Sequence, residues 1–154
     1  MTRESIAIIA FNDRAWVEQP FTNEAGASRT ALERLRGKLA EGTRLDLALT
    51  LAGDLVRDHH PSASAIEAVI LLTDGHPNRV PPAADGRPET TVVEAAMMLR
   101  AHGARLYTVG FGSRSELNEA LLCAIGDQCY IERSALSLRH LYSRLPDEIR
   151  CATE

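Results

Sequence analysis

No apolar run reaches the ~18 residues that a transmembrane helix needs, and residues 1–15 lack the layout of a secretory signal. Basic residues do not cluster. Net charge is −4 with acids and bases interspersed, which excludes a nucleic-acid-binding patch and a polybasic membrane anchor. As written, the chain is expected in the cytosol, an expectation tied to its start site, since an upstream start would allow a targeting segment. Cysteine is scarce: Cys123, Cys129 and Cys151 make an odd count with no CxxC pair, against a zinc or redox site. Buried free thiols are the expectation, with a Cys123–Cys129 bridge if the protein is exported. Gly110-Phe-Gly112 lacks the glycine spacing and lysine of a P-loop, and no Asp-x-Asp or Gly-x-Ser-x-Gly occurs. His59 and His60, in a polar loop with Pro61 and no third ligand near, read as solvated. There is no internal repeat, low-complexity tract or domain boundary. Residues 1–154 are expected to form one domain, long enough to bury a core.

What the chain does contain is an apolar run that stops at an acid. Ala68-Val-Ile-Leu-Leu-Thr-Asp-Gly75 has β-branched and leucine residues without alternation, the pattern of a strand buried on both faces of a parallel sheet. Asp74 is then the first residue beyond its carboxyl end, where open α/β sheets bind ligands, and Gly75 permits the turn. A turn or cap is the structural alternative for such an aspartate.

Upstream, Gly42-Thr43 opens an amphipathic helix in which Leu45, Leu49, Ala52 and Val56 recur at helical spacing. Thr43 or Asp46 would suit its N-cap. Spacing alone leaves open whether this helix start and the Asp74 loop share one edge of the sheet.

Strands and helices alternate along the whole chain. The pattern predicts a strand over 5–11, a tight turn at Asn12-Asp13-Arg14, and an antiparallel edge strand over 15–20 closed by Pro20. Helices follow over 28–40, with Leu32, Leu35 and Leu39 on one face, and over 45–58. The stretch from His76 to Pro88 is too rich in proline and glycine for regular structure. Thr91-Val-Val-Glu94 reads as a capping box opening a helix to about 102, ended by Gly103. A strand over 104–110, a second capping box at Ser113-Arg-Ser-Glu116 with a helix to about 125, and a short strand at Cys129–Glu132 come next. A helix over 135–150 carries Leu138, Leu141, Tyr142 and Leu145.

These pieces resemble, in order, a von Willebrand factor type A (VWA) domain. They are Ile6–Asp13 with Pro20-Phe-Thr22, Gly42–Leu49, Val69–Gly75 and Gly103–Gly112, which together cover nearly the whole chain. The resemblance implies an α/β fold: a three-layer Rossmann-like open sheet, mostly parallel, with one antiparallel edge strand. It also implies a metal-ion-dependent adhesion site (MIDAS), in which an Asp-x-Ser-x-Ser, a threonine and an aspartate from three loops hold Mg²⁺ or Mn²⁺ and a partner carboxylate completes the coordination. Thr43 and Asp74 match the last two ligands. The implied function is protein–protein interaction, not catalysis, without nucleic acid or membrane.

The chain departs from the family at one point: Asp-x-Ser-x-Ser is absent. Its opening, Met1 to Phe11, resembles the family's second strand, so the first strand and helix are expected to be missing, through truncation or a misplaced start. In the family that strand lies mid-sheet, and its loss is expected to leave two strand edges unpaired unless the remaining strands close the gap. With one anionic ligand in place of two, Mg²⁺ or Mn²⁺ is expected to bind weakly or not at all. Asp13, also at a strand's carboxyl end, is a candidate further ligand if the gap closes. Partner-binding loops are expected to carry Asn12, Asp13, Gly42, Gly75, His76 and Asn78. The alternatives are a metal-independent scaffold or non-functional fragment and, with least support, a metal-assisted α/β enzyme built on Asp74.

Overall fold

A computed structural model describes residues 4–38 and 40–152 of the chain. The apolar runs become strands. β1 (Ile6–Phe11) and β2 (Ala15–Thr22) form an antiparallel pair, while β3 (Ala68–Thr73), β4 (Arg105–Phe111) and β5 (Gln128–Glu132) form a parallel sheet in that order. The helices are α1 (Ala25–Leu35), α2 (Leu45–Asp58), α3 (Pro88–Ala101), α4 (Glu119–Ile125) and α5 (Ala135–Cys151). The α/β class is the expected one. The break expected from the missing first strand is there too: β1 and β3 are not hydrogen-bonded to each other, so the strands fall into two sheets and the remaining strands do not close the gap.

One hydrophobic core nevertheless runs beneath both sheets. Ile9 and Phe11 of β1 pack against the same cluster as Val69 and Leu71 of β3, Leu106 of β4 and the inward residues of α2, α3 and α4. Leu45, Leu49, Ala52 and Val56 of α2 are all buried, as their spacing requires. Side chains alternate across a strand, so Tyr107 and Val109 of β4 face away from Leu106. Both are buried, as are Leu141 and Leu145 of α5. Tyr130 of β5 donates its hydroxyl to Glu148 of α5.

Several local expectations give way to longer-range contacts. α1 starts and stops earlier than 28–40, its buried residue is Ala31, and Leu32 is exposed; Leu39 lies outside the described residues. α3 begins with Pro88 at its first turn, where a missing N–H costs nothing, and Thr91 donates its hydroxyl to the Pro81 carbonyl instead of capping. Ser113 and Glu116 form half a box: Glu116 accepts from the Ser113 backbone N–H and hydroxyl, but α4 starts later, capped by Asn118. Neither Thr43 nor Asp46 caps α2. His59 is no solvated loop residue, for its ring stacks on Phe21 with centroids 3.9 Å apart and meets Glu67 at 3.1 Å. Cys123 and Cys129 are not free thiols but a disulfide joining α4 to β5, and Cys151 is free and exposed.

Candidate functional site at the rim of the sheets

The turn between β1 and β2 is set by Asn12. Its backbone N–H donates to the Arg14 carbonyl at 2.8 Å, and its side-chain oxygen accepts from the Arg14 N–H at 2.9 Å. Gly42 then brings the start of α2 against that turn. Its φ is +105°, and a Cβ there would stand 2.8 Å from both the Cβ and the N of Asp13, so only glycine permits this approach. Arg44 N–H donates to the Asn12 carbonyl at 2.8 Å and completes the attachment.

Thr43 is held from its other side by Asn78. The Thr43 N–H donates to Asn78 Oδ1 at 2.8 Å, and the Asn78 N–H donates to the Thr43 carbonyl at 3.1 Å. With both backbone groups used, the hydroxyl is left to face the turn after β3. Thr43 Oγ1 lies 3.8 Å from where a Cβ on Gly75 would be. Asp74, beside Gly75, is exposed, and among the described residues no hydrogen bond or ion pair engages its carboxylate. The structure therefore brings Thr43 to the Asp74–Gly75 turn, which spacing alone left open.

Asp13 has a different neighbour. Its carboxylate is 3.5 Å from Arg79, whose guanidinium also lies 3.5 Å from Glu41. Arg79 has φ +58° and follows Asn78, so the Thr43–Asn78 bridge and the Arg79 ion pairs belong to one loop. His76 Nε2 is 3.3 Å from the Ser115 carbonyl oxygen. That contact ties the loop after β3 to Gly112–Glu116, the loop after β4, where Gly112 comes within 3.7 Å of the Asp74 carbonyl oxygen, measured from its would-be Cβ. Hydrogen bonds from the Ser113 hydroxyl and then its backbone N–H hold Glu116 below the usual carboxylate range.

The sequence pattern missed Arg79, read Ser113–Glu116 as a capping box and not as part of the rim, and read Asp46 as a cap and not as the partner of Arg44. The available signal for the second was its place at the carboxyl end of β4, on the same rim as Asp74. At the base of the rim Arg44 clamps the buried Asp46 with two hydrogen bonds, Nε to Oδ1 at 2.8 Å and Nη2 to Oδ2 at 2.7 Å. This hydrogen-bonded pairing raises the guanidinium's pKa.

A hydroxyl and a carboxylate suit a hard divalent ion in kind. In number they fall short: among the described residues no group of three or more His, Cys, Asp or Glu side chains is placed to hold a metal ion. The charge on Asp13 is already matched by Arg79.

The von Willebrand factor type A domain profile matches residues 2–142, so the chain belongs to the VWA domain family. No curated protein matches it. Among solved structures it is similar to the manganese-loaded TRAP protein of Plasmodium vivax, with 20% identity over 79% of this chain and 46% of that one and a TM-score of 0.62. It is also similar to the pilus adhesin SpaC of Lactobacillus rhamnosus GG in its open conformation, with 11% identity over 94% of this chain and 25% of that one and a TM-score of 0.76. The chain thus spans less than half of either structure, and at these identities the likeness is one of fold.

Proposed function

We propose that the chain is a protein-interaction module, not an enzyme, and that it receives a carboxylate of its partner at the rim around Thr43 and Asp74. The observation that carries this is an exposed, unengaged Asp74 next to Gly75, whose would-be Cβ lies 3.8 Å from the Thr43 hydroxyl. Membership of the VWA family supports it, as do an adhesin and a manganese-loaded protein among the structures of similar fold. Thr43 and Asp74 would hold Mg²⁺ or Mn²⁺ weakly, and the ion would supply positive charge for the incoming carboxylate. The loops around Asn12–Asp13, Gly42 and Gly75–Asn78 would set which partner fits.

A metal-independent scaffold is the second possibility, favoured by the Asp13–Arg79 ion pair, which supplies a cation at the same rim. The thermal midpoint with and without Mg²⁺ or Mn²⁺ separates the two. A ligand that binds only the native state at ~10-fold excess over Kd adds about 1.4 kcal/mol. The weak-site proposal expects a rise at millimolar ion that Asp74→Ala abolishes, and a midpoint indifferent to metal supports the scaffold. The Cys123–Cys129 bridge supports an oxidising compartment over the cytosol expected from the sequence.

A further inference from the structure

The Cys123–Cys129 bridge spans a turn that other contacts also hold. Gly126 follows α4, and its backbone N–H donates to the Leu122 carbonyl at 3.1 Å. The buried Thr108 hydroxyl of β4 donates to the same carbonyl at 2.9 Å and lies 3.3 Å from the Gln128 carbonyl oxygen. Asp127 is tied to β4 in both directions: its N–H donates to the Leu106 carbonyl and its carboxylate accepts from the Leu106 N–H, each at 2.7 Å. Arg100 of α3 donates to the Ile125 carbonyl and pairs with Asp127 at 3.2 Å. Leu121, Leu122 and Ile125 of α4 are buried in the core. None of these contacts passes through a sulfur.

The two bridged residues differ in access. Cys123 is exposed, whereas Cys129 of β5 is half-buried and packs against the hydrophobic core. Side chains alternate across a strand, so Tyr130 faces the other way, where its hydroxyl donates to Glu148 of α5. The third cysteine, Cys151, ends that helix on the far face of the sheet from Cys129. It is not placed to exchange with the bridge inside one chain. An attacking thiol therefore comes from outside, and the sulfur open to it is that of Cys123.

We propose that Cys123–Cys129 is a reversible thiol-exchange site, which takes a small thiol into a mixed disulfide at Cys123 while the domain stays folded. The incoming thiolate attacks Cys123 Sγ, the bond between the two cysteines breaks, and Cys129 leaves as the thiolate. One disulfide replaces another, so the step needs no oxidant. The turn keeps Cys129 beside Cys123, and its thiolate attacks Cys123 Sγ in return, expels the small thiol and restores the bridge. A second small thiol that attacks the sulfur of the first leaves Cys123 as a thiolate beside the reduced Cys129 and releases a small-molecule disulfide. The site needs no metal and does not rest on the reading of the Thr43–Asp74 rim.

The test uses the full chain with Cys151→Ser, which leaves only the bridged cysteines, in millimolar reduced glutathione at mildly alkaline pH. The proposal expects mass spectrometry after acid quenching to show the bridge opened, and the reduced chain to keep one cooperative unfolding transition at a lower midpoint. In that form Cys123 is expected to be alkylated several-fold faster than Cys129. With Cys129→Ser added, oxidised glutathione is expected to give a stable adduct at Cys123, and with Cys123→Ser instead, an adduct at Cys129 that forms several-fold more slowly. A bridge that glutathione opens only in urea, equal or reversed rates at the two cysteines, or a reduced chain without a cooperative transition overturns the proposal. Asp74→Ala is expected to exchange as the native chain does, so this test and the metal test fail independently.

Discussion

Thr43 Oγ1 stands 3.8 Å from the position of a Cβ on Gly75, an ordinary contact distance, whereas Gly42 has 2.8 Å to Asp13 and a φ of +105°. Two alanine substitutions on one rim therefore have different consequences. Gly75→Ala is expected to change stability by less than about 0.5 kcal/mol, as an unstrained surface change does. Gly42→Ala forces a strained backbone and displaces the Asn12–Asp13 turn, at about 1–3 kcal/mol. Urea unfolding of both variants checks the contrast.

Asp46 is buried, and among the described residues its carboxylate is hydrogen-bonded by the side chain of Arg44 alone, itself partly covered. Asp46→Ala leaves that guanidinium without its partner, and the expected loss is about 1–3 kcal/mol. Replacing both residues by leucine is expected to cost less than the sum of the single changes, because no unpaired charge is left. A double-mutant cycle of unfolding free energies measures the difference; additivity would mean that the pair is not coupled.

Glu18 accepts hydrogen bonds from Trp16, Arg34 and Lys38. Those contacts, Trp16 first, lower its carboxyl pKa from 4.5 to about 2. A lowered folded-state pKa contributes stability that is present above the unfolded value and lost as pH falls through the folded one. Stability is thus expected to decline from about pH 5 towards pH 2, with Glu18→Gln less stable at neutral pH and flatter across that window. Unfolding midpoints between pH 7 and the acid limit test this, and an unchanged slope in Glu18→Gln would contradict it.

Cys123 and Cys129 close a short loop, with a sequence separation of 6. Loop-closure entropy for so small a ring gives about 2 kcal/mol, which Cys123→Ser/Cys129→Ser should forfeit. The native chain purified without reductant should show a single reactive thiol, Cys151, by thiol titration. Three reactive thiols in the folded protein would contradict the bridge.

Where the determinants are local, the sequence pattern and the structure agree. α2 spans 45–58 because its apolar spacing is helical throughout, and β3 follows an uninterrupted apolar run, although it is buried on one face and not on both, with Ile70 and Leu72 exposed. Where a distant group competes, the pattern fails. Thr91 looks like a cap until Pro81 takes its hydroxyl, and His59 looks solvated until the fold brings Phe21 over its ring. Asp46 suits an N-cap by type, yet it turns to the arginine two residues before it. At the rim, family resemblance singles out Thr43 and Asp74 as candidates, the position of Thr43 beside the Gly75 turn depends on Gly42 and Asn78, and Arg79 beside Asp13 has no local signature. The break between β1 and β3 followed from the strand missing from the family pattern; that the remaining strands do not pair across it is a property no single segment encodes.

If Thr43 and Asp74 together hold a divalent ion weakly, as proposed for the carboxylate-receiving rim, Mn²⁺ broadens the amide resonances around them. Selective broadening of Gly42–Arg44 and Thr73–Gly75 is expected at millimolar Mn²⁺, reversed by chelator and absent in Asp74→Ala. Broadening that is absent, or that persists unchanged in Asp74→Ala, would contradict the proposed site.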